Sequence, residues 1–231
     1  MTLADKEQRL VDILKQYDSA AIAFSGGVDS ALLSVIAAET IGGRVLLITA
    51  QSAVFAAHEL DDARRIARRH EIAHEIVSTA DVMNERFRAN PPDRCYHCKR
   101  AIFEKLLAIA ADRGYAVVCD GSNRDDSGDY RPGRRALAEL GVVSPLREAG
   151  LGKAEIRELS RRRGLPTADK PSCACLASRF PYGQPIVIET LRRVDRAESA
   201  LRARGFFQVR VRVHGDCARV ELAPDELMRG W

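Results

Sequence analysis

The sequence has no run approaching the roughly 18 apolar residues that a membrane-spanning helix requires. That excludes a helical membrane protein. Its first stretch, MTLADKEQRLVDILKQY, mixes acids into a helical period where a signal peptide would carry a basic and then an apolar segment. The expected compartment is therefore the cytoplasm. Internal repeats and low-complexity segments are lacking too. Cysteine is sparse, six in 231 residues, and in a reducing compartment these do not form a disulfide framework. No sign of charge dominates, because 36 basic and 32 acidic residues leave a net +4. Arg161-Arg162-Arg163 and Arg192-Arg193 can attract anions, but so mild a balance gives little ground for a nucleic-acid partner. What remains is ordinary soluble composition, 46% hydrophobic and 29% charged. The length suits one sizeable domain with a small appendage.

Strand and helix patterns alternate through the first two thirds. Apolar runs at 20–24, 44–50 and 116–120, and the end of a third run at 75–78, read as strands. Helical periods occupy 3–16, 30–40, 57–70, 96–113, 133–140 and 153–163, and a further apolar run lies at 142–146. This order predicts an α/β fold, a doubly wound parallel sheet, over residues 1–172. Ligands on such sheets bind beyond the carboxyl ends of the strands. The loops at Ser25, Gln51 and Gly121 are therefore expected on one rim. From about residue 173 the pattern changes to a polar loop, a helix at 188–204, and two alternating runs at 207–214 and 218–222. Gly215-Asp216 splits the runs, which is a hairpin signal. Residues 173–231 are read as a small α+β appendage. A helix pattern opens at Pro224 shortly before Trp231, so the appendage is expected to be short or trimmed.

The strongest motif is Ser25-Gly26-Gly27-Val28-Asp29-Ser30, set between an apolar strand and a helix. Two glycines let the backbone turn tightly and approach an anion. Successive N–H groups and the helix N-terminus then face phosphates, and the Ser25 and Ser30 hydroxyls add donors. A carboxylate at Asp29 would repel phosphate unless Mg²⁺ lies between them. The Walker pattern is absent. The loop resembles the SGGxDS loop of the PP-loop ATP pyrophosphatases, whose fold is adenine-nucleotide-hydrolase-like. Those enzymes hold the β and γ phosphates as leaving pyrophosphate and transfer AMP. The resemblance implies that Ala50, Gln51 and Ser52 meet adenosine and that Gly121 lies near the nucleotide. Asn123, Asp125 and Asp126 would hold Mg²⁺ or substrate; the plain alternative is a solvated turn. Lys153, opening a helix, would reach the phosphates as a point charge, or be an ordinary surface lysine.

Four cysteines cluster, Cys95 with Cys98 and Cys173 with Cys175. Cys119 reads as a buried small hydrophobe in a strand, and Cys217 stands alone. The segment from Lys170 through Cys173-Ala174-Cys175 to Ser178-Arg179-Phe180-Pro181-Tyr182-Gly183 closely resembles the hallmark of the LarE family. Agreement extends to Arg94-Cys95-Tyr96-His97-Cys98-Lys99, Asp129-Tyr130-Arg131-Pro132-Gly133 with Ser144-Pro145-Leu146, and Arg210-Val211-Arg212-Val213-His214-Gly215.

The resemblance implies an ATP-dependent sulfur transferase. Its members adenylate a carboxylate of pyridinium-3,5-biscarboxylic acid mononucleotide and replace AMP with sulfur, toward the nickel-pincer nucleotide. Some sacrifice the sulfur of one cysteine; others hold a 4Fe-4S cluster on three. With Cys95, Cys98, Cys173 and Cys175 all available as metal ligands, the cluster route is favoured here. A closed four-thiolate zinc site and a single sacrificial thiol remain open, as does the choice of three ligands. Cys173, Cys175, Asp29 and Arg179 are the expected catalytic residues.

Ser178, Arg179, Arg210 and Arg212 are expected to bind an anionic nucleotide substrate, the last two alternating on one strand face. Glu198 would orient an arginine. His97 lies between two cysteines, where ligation is one reading; it is expected instead at the surface or behind them. Relatives imply a homo-oligomer, a hexamer. Rival readings are a PP-loop tRNA thiolase and a zinc-stabilised nucleotide-binding module without catalysis.

Overall fold

The computed structural model describes residues 1–128 and 132–229; Asp129, Tyr130 and Arg131 of the third family-like segment, and Trp231, lie outside the described residues. The chain opens with helix α1 (Leu3–Leu14), started by a capping box. The Thr2 amide donates to Asp5 at 2.8 Å and the Asp5 amide donates to Thr2 Oγ1 at 3.2 Å. Then follow β1 (Ala20–Ala23), α2 (Val28–Ile41), β2 (Val45–Gln51), α3 (Ala57–Arg69), β3 (Ala73–Ser78), α4 (Glu85–Arg88), α5 (Arg94–Asp112), β4 (Val117–Cys119), α6 (Pro132–Glu139), α7 (Pro145–Glu148) and α8 (Lys153–Arg162).

The four strands form one parallel sheet in the order β3-β2-β1-β4. The central strand β1 has no polar side chain because both of its faces are covered. On one face α1, α2 and α8 build a core with Leu10, Leu32, Leu33, Ile36 and Leu159. On the other, α5 packs Ile102, Phe103 and Leu106 against Leu46, Ile48 and Val118. Helix α2 is apolar nearly all round, as a helix wedged between sheet and helices must be. Among the described residues no helix is long and apolar enough to cross a membrane.

The apolar run at 142–146 makes no full strand. Val143 forms a single parallel bridge to Cys119, and then Pro145 starts α7 at a first-turn position, where a missing N–H costs nothing. The stretch before α5 holds a 3₁₀ turn (Ala80–Met83) and α4, neither of which has a clear period in the sequence.

The appendage contains a 3₁₀ turn (Leu176–Arg179), α9 (Ile188–Ala203), and the antiparallel pair β5 (Val209–His214) and β6 (Cys217–Leu222). Its core is shared across the chain: Leu176, Phe180, Leu191, Val194 and Val209 cluster with Val54, Ala56, Met83 and Phe87. Asn90 adds a polar seam, donating from Nδ2 to the carbonyls of Pro181 (2.7 Å) and Gln184 (2.9 Å).

Candidate active site

The loop after β1 is shaped by its own hydroxyls. Ser25 Oγ and Ser30 Oγ lie 3.1 Å apart, and the Gly27 amide donates to Ser25 Oγ at 3.3 Å. Gly26 has φ +70, and a Cβ there would come within 3.1 Å of the Ala63 backbone nitrogen. At Gly121 an added Cβ would lie 3.1 Å from the Ser30 nitrogen. Both glycines thus permit close backbone approach around the loop. Gly27 caps α2 without a side-chain acceptor, leaving the first helical amides to face an anion.

Asp29 stands in the first turn of α2 and pairs with the Lys153 ammonium. Asn123 Nδ2 donates to its other oxygen at 3.5 Å. Burial pushes the Asp29 carboxyl above its ordinary value, with Lys153 opposing and Asp126 adding to the rise. Asp125 accepts from the Lys153 amide at 2.7 Å, which holds its carboxyl low and caps α8. Asp126 accepts from the Asn123 amide at 2.9 Å. Asp125 and Asp126 are therefore built into the loop through their own hydrogen bonds, Asp125 with its side chain about half exposed.

A cavity of about 1150 Å³ opens on this rim. Ser25, Asp29, Gln51, Gly121 and Lys153 line it, as do Cys95, Cys98 and Cys175. Cys95 and Cys98 sit one turn apart at the start of α5, and Cys175 arrives from the loop before the 176–179 turn. The three thiols lie within electrostatic reach of one another. Burial and then the Cys175 and Cys95 thiols push Cys98 up to about 12. Burial likewise raises Cys175, with Arg94 opposing it and Cys95 adding.

Cys173 goes elsewhere. It lines a second cavity of about 330 Å³ with His58, Lys170, Arg202 and Arg210. Burial and then Glu59 push its thiol up to about 11. The four clustered cysteines are thus divided three and one. Cys119 is fully buried in β4 and Cys217 is exposed on β6. His97 bonds Asp93 at 3.0 Å and stacks edge-on with Tyr96.

The expected substrate arginines differ in their surroundings. Arg179 is 2% exposed and Glu198 is fully buried. They form a two-point pair that also takes in the Val211 amide and Arg202. Arg179 further donates to the Ala174 carbonyl and to Ser178 Oγ, each at 2.9 Å. It therefore braces the 174–178 loop while also lining the smaller cavity. Arg212 donates to the Ser178 carbonyl at 3.0 Å and pairs with Glu221. Among the described residues the Arg210 side chain has no hydrogen-bond partner, and it faces the smaller cavity.

Sequence reasoning assigned no role to several residues here. Lys170 Nζ donates to the Gly26 carbonyl at 3.2 Å and pairs with Asp62 at 2.7 Å, tying the cysteine loop to the phosphate loop. Asp120, 4% exposed, lines the cavity and accepts from Ser144 at 2.6 Å. Lys170 and Ser144 both lie inside family-like segments, the one signal that could have marked them.

A family model described as asparagine synthase matches residues 14–121. An uncharacterised protein of Synechocystis sp. is 44% identical over 98% of this chain and 85% of its own length. The pyridinium-3,5-bisthiocarboxylic acid mononucleotide synthase of Lactiplantibacillus plantarum is 38% identical over 96% of this chain and 80% of its own. The tRNA-specific 2-thiouridylase MnmA of Azorhizobium caulinodans is more distant, 29% identical over 74% of this chain and 53% of its own. Identity of this extent, carried by a chain whose phosphate loop and cysteines share one cavity, establishes membership: the chain belongs to the LarE family of ATP-dependent sulfur transferases, built on a PP-loop domain.

Proposed function

We propose that this enzyme adenylates a carboxylate of pyridinium-3,5-biscarboxylic acid mononucleotide and replaces the AMP with sulfur, a step toward the nickel-pincer nucleotide. The observation that carries the reading is one cavity lined by both the phosphate loop and three thiols. An acyl adenylate is consumed by water, so activation and sulfur delivery gain from sharing one cavity.

In the first step a carboxylate oxygen attacks the α-phosphorus of ATP. The bond to the β-phosphate oxygen breaks and pyrophosphate leaves. Amides of the 25–30 loop and the Lys153 ammonium stabilise the charge that develops there. In the second step sulfur attacks the acyl carbon, the bond to the AMP oxygen breaks, and a thiocarboxylate remains. Carboxylate oxygen is a poor leaving group and AMP a good one, which is why ATP is spent.

Asp29 beside the loop, with Asp126 in electrostatic reach, offers the hard oxygen donors that suit Mg²⁺. When bound, Mg²⁺ neutralises triphosphate charge. Cys95, Cys98 and Cys175 offer the soft donors that suit a 4Fe-4S cluster. Held by these three thiolates, such a cluster would supply the sulfide. Among the described residues no three such side chains stand at ion-holding spacing.

The test is to purify the protein without oxygen, count iron and acid-labile sulfide, and assay pyrophosphate release with the dicarboxylate nucleotide. About four of each per chain supports the cluster route. Iron-free protein whose mass falls by one H₂S at Cys175 after turnover keeps the reaction and replaces the cluster with a sacrificed thiol. ATP binding without pyrophosphate release in the presence of that substrate overturns the proposal.

A further inference from the structure

Arg94 is 4% exposed and lines the reaction cavity beside Cys95. Its charge reaches Cys98 and Cys175. Among the described residues it has no carboxylate partner. Its one side-chain hydrogen bond runs from Nη1 to Asn90 Oδ1, and Nε has none. Asn90 cannot turn away, because its amide nitrogen is held by the Pro181 and Gln184 carbonyls. The guanidinium is thus oriented, with Nη1 engaged and the Nε–Nη2 edge unused. Nε is sealed from solvent, so a carboxylate would meet Nη2 first and gain the parallel hydrogen bond to Nε on a small turn of the guanidinium. Burying a guanidinium without a counter-charge is costly, and the thiols around it are poor acceptors. The Tyr182 ring lies 5.0 Å from the guanidinium carbon, but Tyr182 is itself 61% exposed and supplies no charge.

We propose that Arg94 is the carboxylate-recognition residue of this cavity, taking one carboxylate of a dicarboxylate substrate on its Nε–Nη2 edge beside the thiols. The inference rests on the function proposed above and adds the side chain that recognises the acid. A substrate with two carboxylates can keep one ionised on Arg94 while the other is adenylated, so the same contact sets which group faces ATP.

The probe is pyridine-3,5-dicarboxylate, titrated calorimetrically into the full chain without ATP, alongside ATP titrations as a fold control. Wild type is expected to bind the dicarboxylate. R94M is expected to lose at least ~10-fold in affinity, as the loss of a charge-assisted two-point contact implies. R94K should fall between them, because an ammonium is a point charge and not a fork. Y182L should match wild type, and ATP affinity should stay constant in all four. If R94M destabilises the chain and ATP affinity falls, R94K carries the comparison. Wild-type affinity for the dicarboxylate in R94K and R94M overturns the inference while leaving the proposed function intact. A Y182L loss as large as that of R94M also overturns it, because Arg94 would then be only a pin for that ring. Wild type that binds ATP but no dicarboxylate sinks the carboxylate-substrate reading itself.

Discussion

Arg179 and Glu198 meet through two hydrogen bonds, Nε to Oε1 at 2.8 Å and Nη2 to Oε2 at 3.0 Å, in the interior of the appendage. Burial alone would push the Glu198 carboxyl up. The hydrogen bonds from Arg179 and the Val211 amide, with Arg202, outweigh it, and the group ends below its ordinary 4.5. A carboxyl lowered by folding contributes stability above its unfolded value and loses it as pH falls through the folded one. Thermal melts should therefore show a drop in stability beginning near pH 4.5 and deepening below it. E198Q should flatten that drop and cost about 3–5 kcal/mol near neutrality, because Arg179 is left buried and unpaired. A wild-type melting profile level from pH 6 to 3 (roughly the span over which a lowered carboxylate titrates) would contradict this.

Asp29 and Lys153 form an ion pair at the mouth of the phosphate loop. D29A and K153M should each lower pyrophosphate release by about 10²–10³-fold, the size of a lost charge-stabilising contact. D29A should also weaken the dependence on Mg²⁺. Since burial raises the Asp29 carboxyl above 3.8, activity should decline on acidification before an ordinary aspartate would titrate. The coupled release of pyrophosphate, followed against pH and Mg²⁺, checks all three points.

The cysteines should separate by cavity. C95S, C98S and C175S should abolish thiocarboxylate formation, read by mass spectrometry, yet keep pyrophosphate release within about 10-fold, because activation needs only the phosphate loop and its cations. C173S, in the second cavity, should retain sulfur transfer. C217S, on an exposed strand, should change stability by no more than about 0.5 kcal/mol.

Glycines test the loop geometry. G26A meets both a left-handed φ and a backbone neighbour 3.1 Å away, whereas G42A has φ +75 with nothing within 4 Å. G42A should therefore show the conformational cost alone, about 1–2 kcal/mol. G26A should cost more and weaken ATP binding as well. Equal losses in the two variants, by chemical denaturation and ATP titration, would remove the packing argument.

The phosphate loop was legible because its chemistry is local: an apolar strand, two glycines and a helix lie within ten residues. The shared rim of Ser25, Gln51 and Gly121 followed from sheet topology. The three-to-one division of Cys95, Cys98, Cys175 and Cys173 was not legible, because it depends on how the 170–183 loop packs against residues 54–62. The pairing of Arg179 with Glu198 was not legible either, because the two stand 19 residues apart on different elements. The run at 142–146 had no element type in its pattern; Val143 makes one bridge and Pro145 opens a helix. Helix α4 is too short to carry a period, although its Phe87 fills the second core.

That second core has an engineering consequence. Val54, Ala56, Met83 and Phe87 bury the same apolar faces as Leu176, Phe180 and Leu191, and Asn90 stitches the 181–184 turn to α5. Residues 173–229 are therefore not an interchangeable cassette. A chimera that borrows a relative's appendage must import the 53–56 and 82–94 stretches with it, or it will graft a hydrophobic lid onto a surface shaped for another.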